Sequence, residues 1–389
     1  MGKKRLFDEI YPIKDTYKRF DQRNTSFGRS IRETGKVVEF GSDGYRAEKI
    51  SKNLPGFSLV DYAFNGAAGM YEYPKGTTDT QGQAYYSWES LGYVTKPKDV
   101  SKWEGTPEEA ARTITKVAKY FGAADVGFTR LDKRWFYTHS RYGKPLVFED
   151  VEEGYVTDEK AVFPESHKFV IVLTVPMEYK EFMHAPTQLE VTTNMGYSRM
   201  HILAGQLAEF IRGLGWHATP IGNDTTLSVP MAIQAGLGHA GRHGRLITWD
   251  LGPLVRILKV FTDLPLPQSE LADTGIIRYC EVCKKCAVHC PSHAIPDGLR
   301  TFEAVCEANN PGVYKWYGDE EECLRYWNQV GSACSICFRV CSFTKKKGFI
   351  HNVVKWFIKN VPTLNPLWVW TDDLFGYGKM SDPKKYWSS

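Results

Sequence analysis

The sequence predicts an α/β (α+β) fold, a core of mixed sheet flanked by helices, with a small cysteine-rich domain behind it. Three observations predict this. Helical stripes and β-branched runs alternate between residues 106 and 275, which mixes both element types in one core. All nine cysteines fall between Cys280 and Cys341, so a compact ligand-rich unit follows that core. The length of 389 residues leaves room for both, at ~150 residues per domain.

Taken in order, residues 1–105 are rich in glycine, tyrosine and charge, with turn signals such as FGSDGY and YPKGTTDTQG. They read as an irregular region wrapping the core. TPEEAARTITKVAKYFG begins with Thr106 three residues before Glu109, the spacing of a capping box. Its apolar stripe closes at Gly122, ahead of the strand ADVGFTRL. Residues 132–165 read as an inserted loop region, and KFVIVLTVP as a buried strand by its β-branched run. YSRMHILAGQLAEFIRGLGWHATP gives a helix of about sixteen residues, a glycine stop and a strand. SVPMAIQAGLG is a short helix with Pro230 in its first turn, and GRLITW and VRILKVFTDL are strands. Residues 276–345 form the cysteine domain, and 346–389 a C-terminal segment rich in Trp and Pro.

Composition excludes several classes. A net charge of +4 with acids and bases well mixed leaves no nucleic-acid footprint. No apolar run approaches the ~20 residues that span a bilayer. MGKKRLFDE has neither a signal-peptide core nor a twin arginine, which fits a cytoplasmic chain or one whose export signal has been removed. The 11 Trp, 21 Tyr and 21 Phe serve either ordinary packing or an apolar pocket and a shelf for a flat cofactor. Disulfide staples would be spread along the chain, so cysteines confined to one segment point to metal ligation.

CEVCKKCAVHCP carries Cys280, Cys283, Cys286 and Cys290 at ferredoxin spacing. Three thiolates on one tight loop wrap three corners of a cubane, while the fourth ligates a second cluster. The second group is Cys323 with Cys334, Cys337 and Cys341 in CSICFRVC. The expected assignment is Cys280, Cys283, Cys286 and Cys341 to cluster one, and Cys290, Cys323, Cys334 and Cys337 to cluster two. Cys306 is the alternative to Cys323, and Ser342 stands where a proline is usual. Zinc is the competing metal, though it favours separated C-x2-C pairs.

Gly236, Gly238 and Gly241 in GLGHAG match G-x-G-x-x-G, but a helix precedes them and a strand follows, the reverse of a dinucleotide fingerprint. Either the backbone passes close to some other large cofactor here, or this is an ordinary glycine-rich turn. His239 and His243 in the same stretch suit surface or cofactor-edge roles.

The stretch from NMGYSR through IGND, GLGHAGRHG and PLVRILKV, followed by CEVCKKCAVHCP and CSICFRVC, resembles the catalytic subunit of respiratory reductive dehalogenases. The resemblance is dense from about 165 to 345, includes DDLFGYG in the tail, and is loose over the first hundred residues. It implies a cobalamin-type corrinoid held base-off in the α/β core, beside a ferredoxin-like domain with two [4Fe-4S] clusters. No D-x-H-x-x-G occurs to donate a histidine to cobalt. Tyr197, Asn223 and Arg256 match the family's catalytic set. A phenol of ordinary pKa ~10 is a poor acid at neutral pH, and a fixed cation beside it favours phenolate. Arg256 and Asn223 also suit stabilisation of developing negative charge. By the same resemblance Trp327 faces the substrate, and Trp88 and Tyr93 line the entrance.

The implied substrate is a small organohalide, chiefly a chlorinated aliphatic. The implied partners are a small membrane-anchor subunit and a quinol-linked electron donor, with a homodimer expected and no nucleic acid. Location would be the outer face of the cytoplasmic membrane after twin-arginine export. Two readings compete. Epoxyqueuosine reductases share the corrinoid core but carry two cysteine runs ending in proline. A non-catalytic corrinoid or electron carrier would leave Tyr197 without a task.

Overall fold

The computed structural model describes residues 6–36, 45–71, 88–90, 92, 94, 96–271 and 273–388. Its centre is a four-stranded sheet in the order Asp125–Arg130, Phe169–Pro176, Val255–Thr262, Ala218–Ile221, with each neighbouring pair antiparallel. Among the described residues, parallel pairing occurs only in a small second sheet, between Leu146–Glu149 and Ala161–Pro164. The mixed α/β architecture is as expected, but the main sheet itself is not mixed.

Side chains alternate across a strand, and the two faces bury different partners. Ile171, Leu173, Leu258 and Val260 pack beneath the helices Pro107–Tyr120 and Thr192–Gly213. Val170, Val172 and Phe261 face the other way, onto Trp135, Phe136, Phe163 and the helix Ser228–Gln234. The first of these helices begins where its sequence says it should. Thr106 accepts from the Glu109 amide while Glu109 accepts from the Thr106 amide. Gly122 follows with φ of 105°, a left-handed turn that glycine adopts without strain.

Three readings change. Residues before 106 are only partly irregular where described, since helices cover Ser26–Thr34, Tyr45–Ser51 and Leu59–Ala68. The 132–165 insertion holds the three-stranded second sheet. The helix at 192–213 has 22 residues and starts upstream of Tyr197, because Thr192 and Thr193 extend it against Glu178 and Glu190. Past the core, Ile276–Cys283, Lys285–Val288, Glu320–Val330 and Ile336–Arg339 carry or flank the cysteines, and Phe349–Asn360 and Asn365–Leu374 close the chain. Among the described residues no helix is long and apolar enough to cross a membrane.

Candidate active site

Strand parity brings the three catalytic candidates together. Arg256 shares the face of Leu258 and Val260, so it meets the first turns of the helix above it, where Tyr197 stands. Its Nη1 donates to the Tyr197 hydroxyl at 3.2 Å, and the guanidinium lies 4.2 Å from the phenol ring centroid. Asn223, two residues past the strand Ala218–Ile221, donates from Nδ2 to the same hydroxyl at 3.2 Å. The phenol oxygen thus accepts twice, and its own proton is free to point elsewhere. Gly196 makes the approach possible, since a Cβ there would lie 2.9 Å from Arg256 Cγ.

Two buried ionisable groups escaped the sequence reading. Lys259, fully buried on the opposite face of the Arg256 strand, donates to the Gly222 carbonyl at 2.5 Å and to Ser228 Oγ at 2.7 Å. It therefore clamps both ends of the loop that presents Asn223. Burial pushes its ammonium down to about 7. Glu190 is buried near Arg256 and accepts from Thr193 Oγ1 at 2.5 Å; burial raises its carboxyl to about 7, against the pull of Thr193 and the guanidinium. A lysine inside a β-branched run was the available signal for the first, since a buried charge must find partners.

The trio lines a cavity of about 680 Å³ whose walls include Trp327, Phe338, Gly241 and Cys323. Trp327 sits half-buried there with Phe27 at 5.8 Å between ring centroids. Trp88 does not line it. That side chain is 2% exposed and packs on Phe163 at 4.3 Å, inside the hydrophobic layer on the far side of the sheet. Tyr93 lies outside the described residues.

The glycine motif is also corrected in part. Gly236 and Gly238, at φ of 77° and 154°, press against the carbonyls of Glu270 and Ile247, where a Cβ would lie 2.3 and 2.1 Å from oxygen. They serve a tight internal crossing rather than the cavity. His239 is buried with its ring nitrogen 3.3 Å from the Tyr11 hydroxyl. His243 is buried too, stacked on Phe338 at 5.4 Å, and burial pushes it down to about 3. Only Gly241 of the motif reaches the cavity wall, joined by Gly244, where a Cβ would meet nothing within 4 Å.

None of the nine cysteines is in a disulfide. Cys280, Cys283, Cys286 and Cys341 line one small cavity together. Cys323, Cys334 and Cys337 lie within electrostatic range of Cys290 and form a second group. The two groups adjoin through Cys337, which is near both Cys341 and Cys286. Cys306 stands apart, its sulfur near the backbone of Ala308 and Glu320. Burial pushes Cys280, Cys323, Cys334 and Cys337 each up to about 12. Arg245 lies beside Cys323 and Cys337 and is held in a two-pronged ion pair with Glu320, at 2.9 and 3.2 Å. Among the described residues, no three or more His, Cys, Asp or Glu are set for a single metal ion.

Comparison with known proteins identifies the family. The sequence pattern of the reductive dehalogenase subunit family matches residues 41–143 and 133–266. The tetrachloroethene reductive dehalogenase of Sulfurospirillum multivorans is 37% identical over 77% of this chain, which spans 62% of that protein's length. A tetrachloroethene reductive dehalogenase of Desulfitobacterium hafniense is 34% identical over 92% of this chain and 69% of its own. A solved reductive dehalogenase, whose structure suggests a mechanism for B12-dependent dehalogenation, shares the fold with a TM-score of 0.69. That match has 21% identity and covers 96% of this chain and 48% of the other. With the family pattern across its core and relatives of this similarity, the chain belongs to the reductive dehalogenase family.

Proposed function

We propose that the protein reductively dehalogenates a small organohalide that offers few hydrogen bonds, in the balance RX + 2e⁻ + H⁺ → RH + X⁻. The observation that carries this is the Tyr197 hydroxyl, which takes hydrogen bonds from Arg256 and Asn223 on the wall of a cavity that also reaches Cys323. An aromatic cavity suits a ligand that offers few hydrogen bonds. A chlorinated aliphatic matches the substrates named for the tetrachloroethene-reducing relatives.

Tyr197 is the proton donor in this reading. Its oxygen is held by two donors that strengthen as negative charge grows on it, so the phenolate left after proton transfer is stabilised where it forms. Arg256 keeps a fixed positive charge in the same place, suited to stabilise a departing halide. Gly241, Gly244, Asp224 and Ser228 line the cavity and would hold a base-off corrinoid. The open space at Gly244 leaves room for a large flat group, His239 is engaged by the Tyr11 hydroxyl, and His243 is buried behind Phe338 of the cavity wall. Such a corrinoid supplies, when bound, a low-valent cobalt able to break a carbon–halogen bond. Cys280, Cys283, Cys286 and Cys341, and Cys290, Cys323, Cys334 and Cys337, would hold two [4Fe-4S] clusters that deliver electrons singly.

The expectation of a membrane-anchor partner stands as a proposal with the same origin. Phe349, Ile350, Trp356 and Trp370 are exposed on the C-terminal helices and offer an apolar docking face.

Metal analysis of anaerobically purified protein, expressed with corrinoid available, tests the function. The expected result is about one cobalt and about eight iron per chain. Protein that retains iron but takes up no cobalt would remove the dehalogenase reading. Full activity in Tyr197→Phe would instead make the chain a carrier, or move the proton donor elsewhere.

A further inference from the structure

The first cysteine run ends in Pro291, but Ser342 follows Cys341 at the end of the second. The Ser342 hydroxyl lies 3.4 Å from Cys283 Sγ and 3.3 Å from Asp372 Oδ2, and the Tyr279 phenol borders it as well. The Tyr279 phenol can give its own proton to the serine oxygen, so the serine proton is contested by Cys283 and Asp372. Asp372 is the weaker claimant, because it is already paired. Lys285 Nζ reaches its Oδ2 at 2.5 Å and Lys345 Nζ reaches its Oδ1 at 2.6 Å, with both lysines almost fully buried. Lys285 also reaches Asp373 at 2.8 Å. Two ammonium groups on one carboxylate drain its demand for a third donor. The Cys283 sulfur has the Lys285 backbone amide and, at longer range, its ammonium beside it, and Ser342 brings a side-chain hydroxyl to the same sulfur.

We propose that Ser342 donates a hydrogen bond to the Cys283 sulfur and thereby raises the reduction potential of the cluster held by Cys280, Cys283, Cys286 and Cys341. The inference rests on the reading that these four thiols hold a [4Fe-4S] cluster. Reduction adds one electron, and part of that charge falls on the ligand sulfurs. A donor aimed at a sulfur stabilises the reduced cluster more than the oxidised one, which moves the potential upward. Proline at this position has no hydroxyl to give. Asp372 competes for the same proton, and its pairing with Lys285 and Lys345 weakens that competition.

The test is a redox titration of the anaerobically purified holoprotein, followed by electron paramagnetic resonance, with iron content measured on every sample. In Ser342→Ala one of the two cluster transitions moves to more negative potential while the other stays in place. In Ser342→Thr, which keeps a hydroxyl, both transitions match the parent. If Ser342→Ala loses iron, Ser342→Gly removes the same hydroxyl and carries the same expectation. Iron-replete Ala or Gly variants with both midpoints unmoved overturn the role of Ser342 and leave the cluster assignment intact. A parent protein without iron overturns the cluster assignment, and this inference with it.

Discussion

Tyr197 is held by two donors from separate elements, and each can be removed alone. Tyr197→Phe keeps the ring beneath the Arg256 guanidinium and deletes only the hydroxyl. Loss of a general acid typically costs ~10²–10⁴ in rate, so dehalogenation by Tyr197→Phe is expected to fall by that order, with cobalt and iron contents unchanged. Gly196 offers a quieter probe. A methyl there would press on Arg256 Cγ at 2.9 Å and lie 3.4 Å from Met177 Cγ. Gly196→Ala should therefore displace Arg256 and lower kcat by at least about tenfold, as misplaced catalytic groups do. Because alanine also suits a helix better than glycine, by ~1 kcal/mol, the same variant should not melt earlier through helix propensity. Steady-state kinetics beside a thermal melt separates the two effects. The motif NMGYSR showed the tyrosine and its neighbours, but nothing in that string says that the glycine makes room for a side chain sixty residues away.

At the scale of the element, the strand Val255–Thr262 organises the site by parity. Arg256 projects to the helix face and meets Tyr197, whereas Lys259 projects to the opposite face and grips Gly222 and Ser228. Replacing Lys259 by Met keeps the length and removes both donors. It would leave the Gly222 carbonyl without that partner, at ~1–3 kcal/mol for a buried group, and would loosen the loop that carries Asn223. The expected result is a drop in kcat larger than the change in KM, measured on protein still loaded with metal. The helix Pro107–Tyr120 lies outside the site and gives a purely structural control. Thr106→Ala breaks its capping box and should cost ~1 kcal/mol in denaturant unfolding with activity retained.

Across the whole molecule, burial of histidine sets an acid limit on stability. His167 and His201 are both pushed down to about 4 by burial, from an ordinary 6.5. Between those values the unfolded chain binds protons that the folded chain refuses, so stability falls as pH drops. Their contribution is complete above pH 6.5 and is lost progressively toward pH 4. At ~1.36 kcal/mol per unit, on the order of 3 kcal/mol is at stake for each. Urea unfolding at a series of pH values between about 8 and 5 should show this decline. His167→Gln, which keeps a polar partner for Thr219, should make it shallower; an unchanged slope would assign the acid sensitivity to other groups.

The sequence by itself determined what local chemistry can write down. Ferredoxin spacing named Cys280, Cys283, Cys286 and Cys290, the capping box named the start of a helix, and β-branched runs named the long strands of the main sheet, because each signal lies within a few residues. The resemblance supplied Tyr197, Asn223 and Arg256 as a set. Tertiary structure decided everything that depends on distance between elements. It buried Trp88 against Phe163 and spent Gly236 and Gly238 on backbone crossings, away from the cavity. It also paired the main sheet antiparallel throughout, and it aimed Lys259, Glu190 and Ser342 at partners far along the chain. A side chain's surroundings follow from how faces pack, and packing is settled by the whole core rather than by any short string within it.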